Sequence, residues 1–356
     1  DLETLTARFL KNQFHMQRDA KLNMAYAFLR QQLQEIHLKA KVINLKALMI
    51  TTIRKYKISV QDLMTYKSIY QILFIANEYA AIQQNYGLIE HYIGQASQYI
   101  QDGANKKLPY LFYHLSILYY LANFHLRSRN FSRSSSYLQE MVDLMATDAR
   151  YSGLFLMRQQ LLSALNLYFT GFAVDAVELI KTTLKNKKPS SKAEDMEDLQ
   201  LCLTMFQALR NDSGSLKQLT FLTRTDAWYE KKMGMLWAIR KNLMEILVQA
   251  QFSNIDLAMS RLSSFRRRYK KYLLSTSEER VLEYLKLVEK YLIKPESVFE
   301  AKYQQEVLNL QNKMENNDIF TSSFIAWLIA RWKKKTAYEV VLKLVQDDKA
   351  NSGQLI

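Results

Sequence analysis

Leu118-Tyr119-Tyr120-Leu121-Ala122-Asn123-Phe124-His125-Leu126-Arg127, then Ser128-Arg129-Asn130, then Phe131-Ser132-Arg133-Ser134-Ser135-Ser136-Tyr137-Leu138-Gln139-Glu140-Met141: this stretch decides the fold. Leu118, Leu121, Ala122 and His125 follow one another at helical steps along one face. A short polar turn interrupts the pattern, which resumes from Phe131 through Ser134, Leu138 and Met141. The segment reads as a helix, a turn and a second helix.

The same grammar recurs. Ala164 and Leu167 precede the turn Thr170-Gly171, and Ala173, Ala176, Ile180 and Thr183 follow it. After Ser253-Asn254 an apolar stripe runs through positions 255, 258, 262, 265, 269 and 272. Second helices open at Tyr86, Phe131, Ala173, Ser215, Ile255, Val298 and Tyr338, with successive differences of 45, 42, 42, 40, 43 and 40. Such even spacing marks a repeat whose units stack on their neighbours.

First helices are apolar around most of their circumference, as in Leu111 to Tyr120 and Leu236 to Val248, whereas second helices carry one stripe. The two types differ as the inner and outer layers of a stack would. Asp102-Gly103-Ala104-Asn105 and Lys187-Lys188-Pro189-Ser190-Ser191 separate successive pairs, while Asn211-Asp212-Ser213-Gly214 and Lys294-Pro295-Glu296-Ser297 divide helices within a pair. Ser190, Asp212 and Glu296 sit where helix starts want oxygen acceptors or negative charge.

Composition agrees. The 356 residues include 49% hydrophobic side chains but only 8 Gly and 3 Pro, too few for the turns of a sheet-rich fold. The expected class is all-α, an α-α superhelix (solenoid) of about seven to eight antiparallel helix pairs. Residues 1–57, with helical spacing over Leu2 to Phe14, Leu22 to Ile36 and Val42 to Ile53, form N-terminal helices that cap the stack or make its first repeat. Residues 58–348 form the repeats. In 349–356 the stretch Lys349-Ala350-Asn351-Ser352-Gly353 breaks the helical pattern with three consecutive polar or flexible residues and predicts a frayed tail.

The small residue of the first helix, the apolar residue opening the second, the residue three later and the apolar one four beyond resemble part of a tetratricopeptide repeat. Ala122 with Phe131, Ser134 and Leu138 carries the resemblance, as does Ala164 with Gly171, Ala176 and Ile180. It covers Ile58 to Val345, in a lengthened form that lacks most of the family's Trp, Gly and Tyr signature. A step near 42 is closer to HEAT and armadillo repeats, but their regular first-helix proline is missing. The resemblance implies a right-handed superhelix whose groove, lined by first helices, binds peptides or protein segments.

Local chemistry is sparse. The five histidines, His15, His37, His91, His114 and His125, are scattered; His114 and His125 are about three turns apart, too far for one ion, and read as core or groove residues. Glycines never cluster as a phosphate loop requires, and no nucleophile-elbow, Walker or kinase pattern occurs. The expectation is therefore a noncatalytic protein without cofactor or metal. Glu194-Asp195-Met196-Glu197-Asp198 reads as charge near a helix start. Cys202, the one cysteine, reads as a small core residue.

Leu108 to Leu126 is free of charged residues, but Pro109, His114, Ser116, Asn123 and His125 make it read as a buried helix and argue against a membrane span. The N-terminal Asp1-Leu2-Glu3-Thr4-Leu5 has no signal-peptide pattern, although the missing Met leaves an upstream piece open. The default location is cytoplasmic.

Two features point to partners. Forty-nine Lys and Arg against 34 Asp and Glu give a formal charge of +15, which attracts polyanions. The excess gathers at Arg266, Arg267, Arg268, Lys270 and Lys271 around Tyr269, at Lys333, Lys334 and Lys335 beside Trp332, and at Lys185 to Lys188. Basic residues among aromatics can hold phosphates and stack bases, and those closing a helix also complement its dipole. Tyr110, Tyr113 and Tyr120 fit either a peptide groove or packing between repeats. The leading expectation is a scaffold or adaptor whose groove takes an acidic or mixed peptide of another protein. The alternative is a helical-repeat nucleic-acid binder using the basic clusters.

Overall fold

The computed structural model describes residues 1–39, 44–59, 61–83, 85–101, 110–187, 191–276, 278–313 and 319–352. The turn expected at 102–105, residues 188–190 of the next separator and the last four residues lie outside them. Among the described residues the regular structure is entirely helical, with seventeen α-helices. No described helix is long and apolar enough to cross a membrane. The chain divides into two compact units, residues 1–83 with 88–121, and residues 84–87 with 122–356. The division falls inside the stretch that the repeat spacing treats as one array.

The first unit holds α1 (Leu2–Lys39), α2 (Leu45–Tyr56), α3 (Tyr66–Gln83), α4 (Glu90–Gln101) and the start of α5 (Leu111–Arg127). The two N-terminal helical stretches are one helix, α1. The residues between them, Gln17-Arg18-Asp19-Ala20-Lys21, include neither Gly nor Pro, so a polar interval does not break it. Its second half buries Leu22, Ala25, Leu29 and Leu33, one face at helical steps, and α1 contacts both α2 and α3. Leu5, Phe9 and Phe14 of its first half are exposed.

The second unit continues with α6 (Phe131–Thr147), α7 (Ala149–Phe169), α8 (Ala173–Lys185), α9 (Ala193–Leu209), α10 (Gly214–Leu219), α11 (Asp226–Lys232), α12 (Met235–Gln251), α13 (Ile255–Ser275), α14 (Glu279–Ile293), α15 (Ala301–Asn312), α16 (Ile319–Lys333) and α17 (Ala337–Ser352). Helices pack in chain order as pairs, α7 with α8, α9 with α10, α12 with α13 and α16 with α17, and first helices stack on one another, α7 on α9 and α9 on α12. Counting α1 with α2, there are eight pairs, and the short α11 is the extra helix among those described. The last helix runs to Ser352, past the point where the sequence pattern weakens.

The repeat is written into the backbone turns. Arg129, Gly171, Asn211 and Ser253 all have positive φ, 40 to 42 residues apart. Each terminates a first helix in the same way. The amide of Asn130 bonds the carbonyl of His125 at 2.7 Å and that of Arg129 bonds Leu126 at 3.0 Å; Phe172 to Leu167, Asp212 to Gln207 and Asn254 to Gln249 repeat the longer link at 2.9, 2.9 and 3.0 Å. This left-handed cap satisfies carbonyls that the helix end leaves open and reverses the chain into the second helix.

The residue three after the opening position lies where the second helix crosses its partner. Ser134, Ala176 and Ala258 are wholly buried. Ser134 Oγ donates to the Ala122 carbonyl at 2.8 Å and accepts from Asn166 Nδ2 at 2.9 Å, which ties α6 to α5 and α7. On α13 the buried stripe is Ala258, Leu262, Phe265, Tyr269 and Leu273. Ile255 is 45% exposed, and Leu273 takes the place expected for Tyr272.

Candidate binding groove

The stacked first helices of the second unit bring together polar side chains that the sequence scatters. Arg158 on α7 donates from Nε to Asp195 Oδ1 on α9 at 2.9 Å. Three residues further along α9, Asp198 accepts a 2.7 Å bond from the indole Nε1 of Trp237 on α12. Glu197 accepts from the Tyr229 hydroxyl at 3.0 Å. On α5, Arg127 bonds Asn123 Oδ1 at 3.4 Å and lies over the ring of Phe320 on α16, 4.5 Å away, and Arg240 on α12 approaches the same ring at 5.6 Å.

Asp198 is the electrostatic centre of this group. Burial pushes its carboxyl up from 3.8 to about 6; the Trp237 bond opposes the rise, the like charge of Asp195 adds to it, and Arg158 and Arg127 oppose it. A carboxylate withheld from water beside guanidinium groups is a strong acceptor for a cationic or N–H group that displaces the remaining solvent. The cluster contains both donors, Arg127, Arg158, Trp237 and Arg240, and acceptors, Asn123, Asp195 and Asp198. Both kinds are needed to hold a peptide backbone.

The acidic run at 194–198 is thus more than helix-start charge. Glu194 and Asp195 lie in the first turn of α9, but Asp195, Glu197 and Asp198 all bond to other helices. The i, i+3 spacing of Asp195 and Asp198 was the available signal, because it places both on one face. Arg127, Arg158, Arg240 and Trp237 have no sequence motif to mark them.

The three tyrosines singled out by sequence come together elsewhere, in the first unit. Tyr110 stacks on Tyr66 at 5.9 Å; Tyr113 and Tyr120 lie 5.6 and 6.3 Å from Tyr70, and Tyr120 also meets Phe74 at 6.4 Å. They form an aromatic layer between α3 and α5. His114 and His125 are both buried; His125 stacks on Tyr137 at 5.6 Å, and burial, then Arg133, holds its imidazole down at about 4. Cys202 is buried in the core. No group of three or more His, Cys, Asp or Glu suited to a metal ion occurs among the described residues.

The basic cluster on α13 is partly neutralised. Arg266 pairs with Glu289 at 2.7 Å, and Arg268 with Glu230 at 2.7 Å. Arg267, Lys270 and Lys271 are exposed. Tyr269, the aromatic among them, is 1% exposed and presents no face on which a base could stack. Lys333, Lys334 and Lys335 are exposed where α16 turns into α17.

Antiparallel helix pairs joined by recurrent left-handed caps, with a small buried residue at the α6, α8 and α13 crossings, define a tetratricopeptide-like helical-repeat fold. Among solved structures, the chain is similar to the crystal structure of a Rap protein complexed with competence and sporulation factor: the alignment covers 95% of this chain and 99% of that one, with a TM-score of 0.59 and 12% identical residues. That likeness is one of fold. No protein-family model matches the chain, and no curated protein matches it in sequence.

Proposed function

We propose that the chain is a noncatalytic scaffold or adaptor that binds a peptide segment of another protein along the first helices of its second unit. The carrying observation is the half-buried Asp198, bonded to Trp237 and faced by Arg158 and Arg127, at the junction of three successive first helices. The cluster carries both signs of charge, so it suits a segment of mixed charge, while the +15 surface speeds the approach of acidic partners. The Rap structure of similar fold is itself a complex with competence and sporulation factor, which supports a binding role for this architecture.

Selection from a random decapeptide display library, followed by titration of the enriched peptides against tryptophan emission in the wild type and in Trp237→Phe, tests the reading. Enriched peptides compete for one site and lose tenfold or more in affinity on Arg158→Ala. Equal binding by wild type and Arg158→Ala would remove the groove from the proposal. Displacement by single-stranded oligonucleotide, steeply weakened by salt and by Lys270→Ser with Lys271→Ser, would favour nucleic-acid binding instead.

A further inference from the structure

A second, separate site lies in the same unit at the turn edge of the stack. A cavity of about 730 Å³ opens where the ends of α9, α12, α14 and α16 meet the start of α17. Its volume is within the range of small-molecule pockets. At its base Gln251 accepts 2.6 and 2.8 Å bonds from Trp327 Nε1 and Arg331 Nη2, and donates to Asn211 Oδ1.

Arg331 is held flat by aromatic rings, 4.7 Å from the centre of Trp327 and 5.9 Å from that of Tyr291. Its Nε is buried without a hydrogen-bond partner. Among the described residues no carboxylate lies within ion-pair distance of Arg331 or Lys334, while Lys335, also on the cavity wall, acts on Glu339 through its charge without a direct ion pair.

Two acids share the lining. Glu339 accepts from the Thr336 amide and hydroxyl, both at 2.8 Å, and so caps α17; Glu296 is the other. Cations therefore outnumber acids at the wall, and the guanidinium is partly withdrawn from water with no counter-charge. That arrangement is costly when empty and favours an oxyanion. Tyr291 and the 60% exposed Phe299 add flat apolar surface on the same wall.

From this we infer that the cavity is a binding site for a small molecule carrying an oxyanion and a flat apolar ring, with the anion at Arg331, Lys334 and Lys335 and the ring against Tyr291 and Phe299. Its recognition is charge-assisted at one end and apolar at the other, so neither half alone should bind comparably.

Phenyl phosphate is the probe, titrated into the full chain by calorimetry at fixed ionic strength, beside inorganic phosphate and phenol. Phenyl phosphate should bind saturably at one site, inorganic phosphate at least tenfold more weakly, and phenol without saturation. Substitution of Arg331 could disturb the Gln251 contacts, so the decisive variant is Lys334→Asn with Lys335→Ser. Asn tolerates the left-handed φ of 50° at position 334, and both lysines are exposed. That double variant should weaken phenyl phosphate tenfold or more, while the charge-matched Lys270→Ser with Lys271→Ser leaves it unchanged. No saturable binding, or equal losses in the two double variants, would overturn the assignment.

Discussion

Replacing Asp198 with Asn should stabilise the second unit at neutral pH and weaken its binding. The carboxyl titrates at about 6 in the fold against 3.8 when free, so the folded state favours the protonated form. A raised carboxyl pKa withdraws stability as pH climbs from the unfolded value through the folded one, and the loss is complete above it. Two pKa units correspond to about 3 kcal/mol, and partial solvent contact brings the expectation to about 1–3 kcal/mol at pH 7.5. At pH 4.5 most of the wild-type carboxyl is already protonated in the fold, so the advantage of Asp198→Asn should shrink to about a third. Asn keeps an oxygen for the Trp237 indole, so the change removes charge more than it removes the bond. All four tryptophans, Trp228, Trp237, Trp327 and Trp332, lie in the second unit, and urea unfolding followed by their emission reports on it alone. Equal stability of the two proteins at pH 7.5, or a gap that does not change with pH, would refute the electrostatic account.

Ser253→Gly relieves a left-handed residue at a helix cap and should raise stability by about 0.5–1 kcal/mol in the same assay, the steric gain exceeding the entropy glycine loses on folding. Ala176→Leu forces a larger side chain into a wholly buried crossing on α8 and should cost about 1–3 kcal/mol, read as a lower urea midpoint. Tyr113→Ala removes a ring packed 5.6 Å from Tyr70 and should speed amide exchange in α3 and α5 while leaving the affinity of library-derived peptides within twofold.

The helix pairs were legible because their spacing depends on burial, which repeats with the architecture. Phe131 and Ala173 open helices, and Ser134, Ala176 and Ala258 are buried at the crossings, as their pattern implies. The caps were less visible. Gly171 announces its left-handed turn, but Arg129, Asn211 and Ser253 adopt the same backbone, and only Asn among them hints at it. At these positions the stack imposes a conformation that local preference resists. The proposed groove was less legible still, since Arg158 bonds Asp195 across 37 residues and Asp198 bonds Trp237 across 39, each link joining neighbouring pairs. One repeat supplies one side chain, and no local window contains the site.

The last pair of helices alters what can occupy that groove. In a simple solenoid each pair touches only its neighbours, and stability is close to a sum of local interfaces. Here Arg129 bonds Ser322 at 3.2 Å across 193 residues, and the Tyr338 hydroxyl donates to the Tyr168 carbonyl at 2.9 Å across 170. The ring of Phe320 lies over Arg127 and beside Arg240, so α16 forms a wall facing first helices from much earlier pairs. These contacts join the two ends of the second unit, and its helices should therefore unfold together rather than fray pair by pair. The proposed groove therefore has an aromatic ring from α16 beside Arg127 and Arg240, which suits an extended segment that presents an apolar side chain as well as backbone donors and acceptors.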